Sequence, residues 1–129
     1  MKLTINEVID AVRSYNKINK EKFNLKTSYK LARLFDTLQK ESERYETLTR
    51  DAIIKYSKKD ENGEPIVNKS EQGESVEIEP VNQIKLVQEM EELNNSEIEI
   101  EDCYFTFDDF GDLSISIDEI KGLLPFIQE

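Results

Sequence analysis

The sequence predicts an α+β fold, mainly α, and three observations lead there. Apolar residues recur at helical spacing in four separate stretches, two of those stretches open on a Ser/Thr-x-x-Glu signature, and one segment switches to strict alternation. The expected order is an N-terminal helix, a long second helix, an exposed loop or hairpin, a third helix, a short strand segment and a C-terminal helix. At 129 residues the chain suits one domain over residues 1–129 with one modest core.

The first helix is announced by Thr4 and Glu7, which match the capping box, with Leu3 and Val8 as the hydrophobic staple. Ile5, Val8, Ile9 and Val12, then Tyr15 and Ile18, make its apolar stripe and place the helix over residues 5–18. After a polar connection, Thr27 or Ser28 is the expected cap of a second helix that runs uninterrupted by Gly or Pro to about residue 56. Leu31, Leu34, Phe35, Leu38, Tyr45, Leu48, Ala52 and Ile53 mark its inward face, and Ser42 takes a place where an apolar residue is expected. Such a helix spans roughly 40 to 45 Å at 1.5 Å per residue, so one end is free to pack on another chain.

Residues 58–79 change character. Asn62-Gly63 and Gln72-Gly73 are turn signals, Pro65 opposes helix, and Ile66-Val67 can pair with Val76 to Ile78 in an exposed, flexible loop or hairpin insertion. Pro80 suits the first turn of a third helix with Ile84, Val87, Met90 and Leu93 as its stripe. Glu97-Ile98-Glu99-Ile100-Glu101 then alternates as an extended strand does, followed closely by Tyr104, Phe105, Phe107 and Phe110. Ser116 and Glu119 repeat the capping box and start a last helix at about residue 117, with Ile120, Leu123, Leu124 and Ile127 on its apolar face.

Composition bounds the function. No segment approaches the ~20 apolar residues of a membrane helix, and the N-terminus carries no run of signal-peptide length, so a cytoplasmic protein is expected. With no histidine and one cysteine, Cys103, the common zinc and haem ligand sets are missing, and no cofactor is expected. No phosphate-binding glycine loop or nucleophile elbow occurs, which argues against an enzyme. Aligning Gly111 of Asp108-Asp109-Phe110-Gly111-Asp112 with the glycine of an EF-hand loop puts Thr106, Phe110 and Ile117 where oxygen ligands are required, so the motif reads as an acidic turn. Glu101 and Asp102 beside Cys103 are expected to raise its pKa and keep the thiol unreactive.

The net charge of −11 is unevenly placed: residues 1–40 carry +5 and residues 41–129 carry −16. Two candidate surfaces follow. Arg13, Lys17, Lys26, Lys30 and Arg33 form a candidate basic docking face, and Glu97, Glu99, Glu101, Asp102, Asp108, Asp109 and Asp112 a candidate acidic interaction surface. Excess negative charge disfavours direct nucleic-acid binding, and the aromatic run Tyr104, Phe105, Phe107 reads as packing because base-stacking platforms sit in positive grooves.

Along nearly its whole length the chain resembles a family of small uncharacterised proteins from tailed phages and prophages of Gram-positive bacteria. The likeness is carried by residues 8–18 (VIDAVRSYNKI), 26–33 (KTSYKLAR), 56–65 (YSKKDENGEP), 94–101 (NNSEIEIE) and 115–127 (ISIDEIKGLLPFI). These are capped helices and a Lys-Asp-x-Asn-Gly turn with no catalytic signature. The resemblance implies synthesis in a bacterial host cytoplasm, or a place in the virion, and transfers no residue role. Together these observations lead us to expect a non-enzymatic phage accessory protein that binds a host or phage protein and inhibits a host or defence protein through its acidic surface. The alternative is a virion or assembly component (a structural, adaptor or chaperone protein) forming a homo-oligomer through the long helix.

Overall fold

Thr4 and Glu7 form the predicted reciprocal cap: Glu7 N–H donates to Thr4 Oγ1 at 3.2 Å and Thr4 N–H donates to Glu7 Oε1 at 3.0 Å. Two orphan amides are thereby satisfied, and α1 (Ile5–Ile18) starts there. The computed structural model describes residues 1–111 and 113–128. It is α+β and mainly α, with four α-helices among the described residues, of which the second is by far the longest.

The residues gather into two compact units, Met1–Arg44 with Asn95–Glu129, and Tyr45–Asn94. In the first unit, Val8, Ala11, Val12 and Ile18 of α1 are buried with Leu31, Leu34, Phe35 and Leu38 from α2 (Leu25–Tyr56). Tyr15 stacks on Phe35 with ring centroids 4.1 Å apart, an arrangement that ties the two helices by shape as well as by burial. Ser42 is buried at the position the stripe assigned to an apolar residue.

The start of α2 corrects the sequence reading. Its cap is Asn24, whose Oδ1 accepts from Thr27 N–H at 2.8 Å, while Thr27 itself is buried one turn inside the helix. Both Asn and Thr suit a cap, and periodicity alone does not choose between positions three residues apart.

A strand that the sequence analysis did not predict, β1 (Lys2–Thr4), pairs antiparallel with the segment of strict alternation, with Leu3 opposite Ile98. Leu3, read as a staple residue, is a core strand residue. Three residues are too few for an alternating pattern to register before the helix begins.

The C-terminal end is part of this core. Phe105 N–H donates to the Phe126 carbonyl at 2.7 Å and Gln128 N–H to the Phe105 carbonyl at 2.8 Å, and both rings are about 1% exposed. The last helix, α4 here by its place in the chain (Ile117–Lys121), is capped by Ser116 Oγ as expected, but it is five residues long. Gly122 and Pro125 end it, and a 3₁₀ turn over Leu124–Phe126 follows. Leu123 is buried as predicted, Leu124 is exposed, and Phe126, outside the predicted stripe, takes the inward position. A 3₁₀ turn has three residues per turn, so a face extrapolated at 3.6 drifts onto the wrong side chain.

In the second unit, β2 (Val67–Ser70) and β3 (Gly73–Val76) form the expected hairpin with Val67 opposite Val76. Ile66 N–H donates to the Lys58 carbonyl and Lys58 N–H to the Glu77 carbonyl, which fastens the hairpin to the chain leaving α2. At the Asn62-Gly63 turn, Asp60 Oδ1 accepts from Asn62 and Glu64 N–H groups, and Gly63 adopts φ +80°, a conformation in which a Cβ is strained. Then comes α3 (Pro80–Asn94), with Pro80 at its first position as predicted. Its face is a correction. Leu86 is the buried residue, whereas Ile84 and Val87 of the predicted stripe are 62% and 50% exposed.

Candidate functional site

The alternation of residues 97–101 has a direct structural consequence. Ile98 and Ile100 pack against the first unit's core, and Glu97, Glu99 and Glu101 are exposed. Among the described residues, the strand β4 (Glu97–Glu99) is hydrogen-bonded along one edge only. Ile100 N–H donates to the Met1 carbonyl at 3.0 Å and Ile5 N–H to the Ser96 carbonyl at 3.1 Å, so the even-numbered backbone groups face β1. By the alternation of an antiparallel ladder, the backbone groups of Glu97, Glu99 and Glu101 point to the outer edge.

That edge borders a cleft of about 420 Å³. Glu99, Glu101, Cys103 and Tyr104 line one wall and Tyr29, Lys30 and Arg33 of α2 the other. The basic and acidic surfaces that the sequence treated separately meet here. Arg33 pairs with Glu101 at 3.3 Å, both exposed, and Lys30 Nζ donates to the Tyr104 carbonyl while lying 4.5 Å from the centre of the Phe105 ring. Asp102 accepts from the Met1 ammonium at 2.6 Å, which closes the start of the chain against the cleft wall.

The remaining candidates are dispersed. Asp109 accepts from Thr106 N–H at 2.8 Å and caps the 3₁₀ turn Phe107–Phe110, Asp108 is exposed on that turn, and Asp112 lies outside the described residues. Arg13 and Lys17 are exposed on α1 and Lys26 on the first turn of α2, and none of the three forms an ion pair among the described residues. The aromatic run divides: Phe105 and Phe110 are buried, whereas Tyr104 and Phe107 are exposed.

Sequence reasoning missed Tyr29, Thr37 and Cys103 as cleft residues. Nothing in a helical stripe identifies residues on its flank until the partner strand is known. Burial pushes the Cys103 thiol above its ordinary value, while Lys30 and Arg33 across the cleft pull it down. The direction expected from the sequence holds, but its cause is desolvation and not the neighbouring Glu101 and Asp102. A thiol in this setting is a poor nucleophile at neutral pH.

Among the described residues no three His, Cys, Asp or Glu side chains gather as a metal-binding group. No helix among them is long and apolar enough to cross a membrane. Set against protein-family models, curated proteins and solved structures, the chain matches none.

Proposed function

We propose that this chain is a non-enzymatic phage accessory protein that acts by binding another protein, and that the exposed acidic face of β4 makes the contact. The observation that carries the reading is the state of Glu97 and Glu99. Both are exposed, neither is in an ion pair among the described residues, and they sit side by side on a strand with a free outer edge. Unpaired carboxylates on a rigid strand steer a basic partner and select against an acidic one. The phage setting rests on the family resemblance, and inhibition of a host or defence protein is the action that a small binding module without catalytic groups can perform.

A second reading is favoured by a different observation in the second unit. Residues Tyr45–Asn94 bury Leu86 as their one fully enclosed large aliphatic among the described residues, while Leu48, Ile54, Val81, Ile84 and Val87 are exposed. Exposed aliphatic groups on two helices are characteristic of a surface that another chain covers, as in a virion or assembly component that forms an oligomer. The oligomer surface then lies on the later part of α2, because Leu31, Leu34, Phe35 and Leu38 are already covered within the first unit.

Size-exclusion chromatography with light scattering separates the two. A monomer that shifts into a complex with a basic host protein, and does so at low but not high salt, supports the first reading. A discrete homo-oligomer that is indifferent to salt, and that Ile84→Asp dissociates, supports the second.

A further inference from the structure

The outer edge of β4 and the cleft beside it form a construction of their own. Glu97, Glu99 and Glu101 turn their backbone groups away from β1, and no hydrogen bond reaches those groups from elsewhere among the described residues. A strand edge of this kind has the donors and acceptors that a further strand needs. The opposite edge of the ribbon is not equivalent. There the Thr4 amide is already taken by the Glu7 carboxylate.

Charge decides what can pair. A second copy of the same strand would set Glu beside Glu, which repels, so self-pairing is opposed. An extended segment that alternates Lys or Arg with aliphatic residues is complementary on both faces. Its cations lie on the face of Glu97, Glu99 and Glu101, and its aliphatic residues extend the apolar face of Ile98 and Ile100. Of the two cations in the cleft, Lys30 is held against the Tyr104 carbonyl and the Phe105 ring, and Arg33 offers little resistance. The Arg33–Glu101 pair is solvent-exposed on both sides, at 68% and 86%, and such pairs exchange readily.

We propose that β4 receives an extended, alternately cationic and aliphatic peptide segment of its protein partner as a third strand along its outer edge, beside the α2 wall of the cleft. This rests on the protein-binding reading above and specifies the chemistry of the partner. Main-chain hydrogen bonds to Glu97, Glu99 and Glu101 provide the attachment, and the carboxylates provide the selection.

The test uses the full chain, isotopically labelled, with a synthetic capped octapeptide of four Lys-Val repeats and the same peptide carrying N-methyl groups on alternate amides. The expected result is that hydrogen exchange at the Glu97, Glu99 and Glu101 amides slows about tenfold or more with the unmodified peptide and not with the methylated one. Glu99→Pro should abolish the effect while the amides of Ile98 and Ile100 stay protected, since the amide lost faces away from β1. If both peptides shift the resonances of this segment equally, strand addition is refuted and the acidic-surface reading stands. If neither does at low salt, both are refuted.

Discussion

Gly122 shows how a single residue sets the approach of two elements. Its N–H donates to the buried Ser14 Oγ at 3.1 Å, and a Cβ placed there would overlap the Asp10 carbonyl oxygen and the same hydroxyl. Because the obstacle is helix backbone, Gly122→Ala should cost about 2 to 3 kcal/mol, read from urea unfolding midpoints. The corrected cap makes a second prediction. Asn24→Ala should cost about 1 kcal/mol by the same assay, and Ser28→Ala distinctly less. Cys103 makes a third. Burial holds its thiol above the ordinary value, so in the folded chain it ionises at a higher pH than an ordinary thiol does. Alkylation by iodoacetamide should therefore reach half its limiting rate at a higher pH than for a free cysteine, and Lys30→Gln should move that midpoint higher still. The stability linkage has the matching sign: above the ordinary thiol value the unfolded chain loses the proton first, so this group's contribution falls as pH rises.

At the scale of elements, legibility followed the length and regularity of the signal. Thr4 with Glu7 and a 14-residue stripe made α1 readable to its ends, and Gly63 and Gly73 marked turns that the chain makes with positive φ. Where the signal was short or shared, it misled. β1 has three residues, and α3 carries aliphatic groups on more than one face, so Ile84 and Leu86 compete for the same role. Only the environment of the helix decides which is covered. The acidic strand itself was visible as Glu-Ile-Glu-Ile-Glu, but the cleft was not, because Tyr29 and Arg33 meet it across about seventy residues of chain. The C-terminal element yields a prediction of its own. Phe126 and Phe105 are both enclosed and joined through the backbone, so Phe126→Ala should cost about 3 to 5 kcal/mol and Leu124→Ala, at an exposed site, well under 1.

For the whole molecule, the uneven charge acquires an address. Part of the basic N-terminal stretch is spent within the chain, through Lys30 and Arg33 against residues 101–104, while Glu97 and Glu99 remain open. On the proposed protein-binding reading, capture of a partner should depend on those two carboxylates more than on total charge. The most direct measurement of that reading is quantitative mass spectrometry of proteins captured from lysate of the proposed bacterial host by the wild-type chain and by Glu97→Lys/Glu99→Lys, at low and high salt. The account predicts a basic protein enriched by the wild type at low salt and lost from both the variant and the high-salt sample. Equal capture of the same proteins by the wild type and the variant would contradict it.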